Sequence, residues 1–200
     1  MADIAKTLSL ICNKLNEYLM NTVDKSLVSG NRCAVLSNLV DHHSQPIPQL
    51  DDKIVMFLAN IQHETTISTY QRNVPTANND FEVVTPPLYI NLYVMLFANF
   101  QHLRYVQGLD MISRTISFFQ QNPYFNHQNL PGLDTEIDKL SFEISNLDIT
   151  DLNYLLGLAG VKYLPTVYYK VRMLPFAAQS MKAETPAVRG TESAGDTLDR

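Results

Sequence analysis

The chain has 200 residues, 46% of them hydrophobic, with 10 Tyr, 9 Phe and no Trp. That is enough for one domain with a substantial core, and it excludes a disordered chain. A formal net charge of −5, without runs of like charge, leaves no basic footprint for DNA or RNA and makes anionic membrane surfaces poor partners.

Along the chain, Ile4, Leu8, Ile11, Leu15 and Leu19 recur on one face of an amphipathic helix. Lys6 precedes Leu8, Leu10 and Ile11, but Asn13, Lys14, Asn16 and Glu17 cut the apolar run too short for a signal peptide. Later apolar runs are of strand length, below the ~20 residues of a membrane span. No membrane insertion is expected, and synthesis and folding in the cytoplasm are.

Residues 33–40 predict a short strand and residues 53–67 a longer one. Ile54, Met56 and Leu58 against Val55 and Phe57 make the latter apolar on both faces, as in a central strand. Residues 69–80, with Asn73, Pro75, Asn78 and Asn79, predict a turn-rich loop from which Arg72 is a candidate to reach a neighbouring subunit. Residues 88–98 predict a third strand. Its Leu88–Leu96 alternation is apolar, and Tyr89, Asn91 and Tyr93 on the other face point to a half-wet packing surface or a partner contact.

A helix from Tyr105 through Phe119 ends at Asn122 and Pro123. Residues 137–145 alternate as a half-buried strand. Thr150 is expected to cap a short helix bearing Leu152, Leu155 and Leu156, with Gly160 just past its end. Residues 166–173 form the last predicted strand, and from Pro175 composition and periodicity change. The order α-β-β-β-α-β-α-β predicts an α/β chain of the α+β type: a mixed, mainly antiparallel sheet with packed helices over residues 1–174 and a flexible tail over 175–200.

Sites for chemistry are sparse. Asp41, His42 and His43 adjoin in a loop, but neighbours in a loop rarely share one metal, and no HExxH or CxxC accompanies them. Cys33 with His63 is the best thiol-nucleophile pair, yet the thiol lacks a pKa-lowering context and reads as a buried structural group, as does Cys12. Asp51, Asp52, Glu64, Asp134, Glu136 and Asp138 are scattered at turns and strand ends. No glycine loop cradles a phosphate, no GxSxG occurs, and no cofactor or metal is expected. The positive signals are of the interaction kind: Arg104 and Arg114 on the second helix, and Lys162, Tyr163, Tyr168, Lys170 and Arg172 around the last strand, with Tyr93 on the facing strand. An ordinary solvated sheet face is the competing reading.

Five blocks then resemble one family: VLSNLV at 35–40, KIVMFLANIQHETTI at 53–67, PPLYINLYVMLFANF at 86–100, ISFFQQNPYFNHQNLPGL at 116–133 and LNYLLGLAGVKYLPTVYYKVRM at 152–173. In ordered series they resemble the N-terminal domain of the cap proteins of extracellular contractile injection systems, such as the Photorhabdus virulence cassettes and the antifeeding prophage. The resemblance implies a tail-terminator-like fold without enzymatic activity, and a six-fold ring of identical copies on the end of the inner tube distal to the baseplate. That ring would stop tube growth and anchor the last sheath layer, so the implied partners are the chain itself, the tube protein and the sheath protein. Larger members continue further, which leaves principal terminator and companion cap both open. A free-standing ligand- or partner-binding α+β module is the alternative, and a Cys- or carboxylate-dependent hydrolase the third.

Overall fold

A computed structural model describes residues 3–23, 30–65, 72–75, 81–84, 88–100, 102–176 and 183–185. Three α-helices run over Ile4–Thr22 (α1), Tyr105–Gln121 (α2) and Ile149–Leu158 (α3). The strands are Ala34–Leu36 (β1), Lys53–His63 (β2), Arg72–Pro75 (β3), Phe81–Val84 (β4), Leu88–Asn99 (β5), Tyr124–Phe125 (β6), Leu140–Ile144 (β7), Thr166–Phe176 (β8) and Ala183–Thr185 (β9). Six of them form a sheet in the order β1-β2-β5-β8-β7-β6, in which only β1 and β2 are parallel. The expected mixed, mainly antiparallel α+β architecture is the one observed, with all eight expected elements in the expected order.

Both faces of the sheet are covered. Leu8, Ile11, Leu15 and Leu19 of α1 and Met111, Ile112, Phe118 and Phe119 of α2 pack on the inner face, against Ile54, Met56, Leu92, Val94, Leu96 and Val171. On the outer face a smaller core joins Val55, Met95 and Phe97 to Leu156 of α3, to Ala159 just past it and to Leu39 and Leu50 of the β1–β2 connection. This explains the doubly apolar start of β2: Ile54, Val55 and Met56 are all fully buried. The edge strand β1 is short, and Asn16 Oδ1 of α1 accepts from the Cys33 and Ala34 N–H groups at 2.7 and 3.1 Å, which blunts the edge.

Four features depart from expectation. The segment 69–80 is not wholly loop, since Arg72–Pro75 pairs with Phe81–Val84; Asn73 and Pro75 suit a short edge strand as well as a turn. Strand β2 stops at His63, followed by Glu64, which is a buried ion-pair partner; residues 66 and 67, also expected in the strand, lie outside the described residues. Helix α3 is capped by Asp148 rather than Thr150: the Asp148 backbone is extended and its carboxylate accepts from Asp151 N at 2.8 Å, which leaves Thr150 already inside the helix. Strand β8 runs on to Phe176, and within the segment expected to be a tail Ala183–Thr185 pairs with β4. Gly160 follows α3 at φ +71, where a β-carbon would stand 2.8 Å from Val40 Cγ2, so glycine is required there on two counts.

The N-terminus of α1 is tied down electrostatically. The Lys6 ammonium hydrogen-bonds Asp134, and Asp3 N donates to the same carboxylate at 3.0 Å. Lys6 first, then the Asp3 N–H, hold the Asp134 carboxyl below its ordinary value of 3.8. A depressed folded-state value stabilises the fold above the unfolded value and loses that contribution as pH falls through the folded one. Acid unfolding followed by circular dichroism should therefore be shallower below about pH 4 for Asp134→Asn than for the parent chain.

Candidate interaction surface

The alternation of β5 and β8 sets the outer face, and two bulges adjust it. In β2 the register shifts between Leu58 and Asn60, so Asn60 and Gln62 share the outer face with Phe57 while Ile61 moves to the inner side opposite Leu92. In β8 two residues, Arg172 and Met173, stand against Asn91, since Leu92 pairs with Val171 and Ile90 with Leu174. Four of the residues singled out in the sequence thereby meet on this face. The Tyr93 and Tyr168 rings stack at 5.6 Å and 22°, and Lys170 Nζ lies 5.9 Å from the Tyr93 ring centre. Burial, then the neighbouring Tyr93, raises the Tyr168 hydroxyl above the ordinary tyrosine value.

Arg172 is committed within the chain. Its Nη2 lies 3.2 Å from Glu64 Oε2 and its Nη1 3.5 Å from Glu143 Oε1. Asn91 Nδ2 donates to the same Glu64 oxygen at 2.9 Å, and Glu64 and Asn91 are both buried. Arg104 lies apart from this group. It precedes α2 rather than lying on its outer face, and its guanidinium pairs with Asp52 in the turn before β2. Arg114 bonds Asp110 one helical turn away and the Thr22 carbonyl at the end of α1. Tyr163 stands in the connection from α3 to β8 and is not a member of the stacked pair. The side chain of Arg72 lies outside the described residues.

Sequence reasoning missed an apolar surface on α3. Ile149, Tyr154 and Leu158 are 84%, 68% and 78% exposed, and Tyr163 just beyond them 65%. Beside them Ile149, Leu152, Leu156, Val161 and Tyr163 line a shallow groove of about 290 Å³. The signal was present: in the ten residues ITDLNYLLGL apolar side chains take more than half of the helix circumference, leaving one side to Thr150, Asn153 and Gly157, which is wider than the stripe a single core contact needs. Leu103 just before α2 and Val106 in its first turn are likewise exposed, and α2 packs on the opposite face of the sheet.

The positions considered for chemistry take structural roles. Asp41 Oδ1 accepts from His43 N and Gln45 N at 2.8 Å each, an ordinary Asx turn. Among the described residues no group of three or more His, Cys, Asp or Glu side chains is placed to hold a metal. Cys33 adjoins the start of β2, where Ile54 N donates to its carbonyl, and His63 ends that strand. At about 3.3 Å per residue the two stand about 30 Å apart along it, too far to act together. Burial raises the thiols of both cysteines, that of Cys12 to about 12. No described helix is long and apolar enough to cross a membrane.

The profile of the Pvc16 N-terminal domain family matches residues 9–190, nearly the whole chain and every strand described above. The chain belongs to the Pvc16 N-terminal domain family. No curated protein matches its sequence. Among solved structures, the sheath/tube terminator of an extracellular contractile injection system, PVC, in its extended state matches this Pvc16-type chain with a TM-score of 0.58 at 10% identity, over 98% of this chain and 64% of the other. The tube-terminating cap of the anti-feeding prophage matches with a TM-score of 0.53 at 12% identity, over 92% of this chain and 59% of the other. The Pvc16 domain described here thus spans less than two thirds of the length of either.

Proposed function

We propose that the chain is a structural terminator subunit of a contractile injection particle. Copies of it, six by resemblance, form a ring on the tube end distal to the baseplate, end tube growth and hold the last sheath layer. It is not an enzyme and needs no cofactor. It is assembled in the bacterial cytoplasm, within a particle that is released afterwards. The observation that carries this reading is the family match over residues 9–190, supported by a fold shared with a sheath/tube terminator and a tube-terminating cap.

The α3 surface suits the role. A helix apolar on its outward side stays soluble in an assembly that covers it. A ring of identical subunits needs two different, mutually complementary patches, and the exposed apolar residues of α3 and of α2 lie on opposite sides of the sheet. Deleting the protein from cells that make the particle should give tubes of uncontrolled length with poorly anchored sheath, seen in electron micrographs. Particles of normal, uniform length with intact sheath would overturn the proposal. A purified chain that stays monomeric and binds neither tube nor sheath would favour a free-standing module instead.

A further inference from the structure

Strand β1 covers only the first part of the edge of β2. Its ladder starts where Ile54 N donates to the Cys33 carbonyl at 2.8 Å. It ends where Ser37 N donates to the Met56 carbonyl at 3.1 Å. Ile54 and Met56 thus present their main-chain groups to β1, and by alternation Leu58 presents its own the same way. Past the bulge, Glu64 N donates to the Tyr89 carbonyl at 2.9 Å. Gln62 and Asn60 therefore also bond toward β5, and the main-chain groups of Ile61 and His63 point outward. The Ile61 N–H agrees, since it is taken up by the side-chain Oδ1 of Asn60 at 2.8 Å. Among the described residues no strand lies against residues 58–63 on that side. The stretch also lacks the guards common on free edges, for it contains no Pro, Lys or other fixed charge. On the inner face Ile61 is 48% exposed, and Leu36 at the end of β1 is exposed on that face too. On the outer face, where β1 ends, lies a cavity of about 490 Å³ with Ser37, Asn38, Phe57 and Leu158 in its lining.

We infer that the edge at residues 58–63 accepts an extended arm of another protein of the particle as an added strand, in line with β1. The inference rests on the reading of the chain as a particle component. The outward main-chain groups of Leu58, Ile61 and His63 hold the arm, with Asn60 releasing the Ile61 N–H to it. At about 3.3 Å per residue the slot is about 20 Å long. Alternation fixes the chemistry of the arm: apolar side chains toward the inner face, against Ile61 and Leu36, and polar ones toward the outer face, beside Asn60 and Gln62. A second copy is a poor donor of such a strand. The other edge strands described, β1, β3, β6 and β9, have only two to four residues. Pairing of β2 with its own copy would close a two-fold dimer instead of continuing a ring. While the arm is absent, the bulge and the Asn60 side chain keep the edge from pairing indiscriminately.

The test is amide hydrogen exchange on the full chain, read residue by residue by mass spectrometry, free in solution and within purified sheathed particles. On incorporation the Leu58, Ile61 and His63 amides should gain at least about tenfold in protection, while those of Gln62 and Glu64, already bonded to β5, gain much less. Ile61→Lys, which puts a charge where the arm must be apolar, should melt like the parent yet co-sediment with sheathed tubes at least about tenfold less. An equal gain at every position from 58 to 64 would mean plain covering and would overturn the inference. So would a chain present in particles whose outward amides exchange as they do in solution, and the terminator reading would then still stand. Absence of the chain from particles would overturn both. Protection of the same amides in the purified chain alone, rising with concentration, would assign the edge to a second copy and likewise overturn the inference.

Discussion

Phe119→Ala is expected to lower the stability of the chain by about 3–5 kcal/mol, the usual cost of removing a fully buried aromatic ring from a core that collapses only in part. Phe119 is the hub of the aromatic cluster under α2. It stacks on Phe142 at 4.7 Å and 11°, lies 4.8 Å from Tyr169, and meets Phe118 and Phe125 edge-on at 5.0 and 6.4 Å. Each such pair contributes about 0.5–1.5 kcal/mol beyond buried area, so the loss falls toward the upper end of the range. Against a typical total of 5–15 kcal/mol this is a large fraction. In urea the midpoint should fall by about 1.5–2.5 M for a slope of about 2 kcal/mol/M. A shift under about 0.5 M would mean that the cluster repacks freely and that α2 is not pinned by it.

The second large effect falls on assembly with folding left intact. Tyr154 and Leu158 lie one turn apart on the exposed side of α3 and contribute nothing to either core. Tyr154→Asp with Leu158→Asp should leave the melting temperature almost unchanged apart from the lower helix propensity of aspartate, about 0.5 kcal/mol per site. Two apolar anchors lost from the centre of an interface, each replaced by a charge, cost about 3 kcal/mol or more, roughly a hundredfold in affinity. Co-sedimentation of the chain with sheathed tubes should therefore be lost in the double variant. Full incorporation at unchanged stability would show that α3 faces solvent in the particle and that the contacts lie elsewhere.

How much of this was legible in advance depended on whether the signal was local. Ile4 through Leu19, the alternation of β5, and the Asn122–Pro123 stop after α2 are signals of period and of backbone chemistry, and the structure realises them almost residue for residue. The stacking of Tyr93 on Tyr168 was legible in part, because strict alternation in β5 and β8 puts both on faces that pairing makes common. The short strands β3, β4, β6 and β9 were not legible, and β3 and β9 show why. They are only four and three residues long, and their pairing with β4 rather than their own composition makes them strands. The apolar arc of α3 was readable as wider than one core contact needs, but which part of it the sheet would take was not.

The sequence by itself determined the helices, the central strands, the doubly apolar character of β2 and the absence of any basic stripe, because each follows from the period of the side chains or from a sum over them. Only the tertiary structure decided the partners. Counting by twos along β2 from Ile54 would put Glu64 on the same face as Ile54 and Met56, toward α1 and α2. The bulge after Leu58 turns it to the outer face beside Asn91 and Arg172. A bulge is a one-residue offset between two strands, so it belongs to the pair and cannot be read in either strand alone.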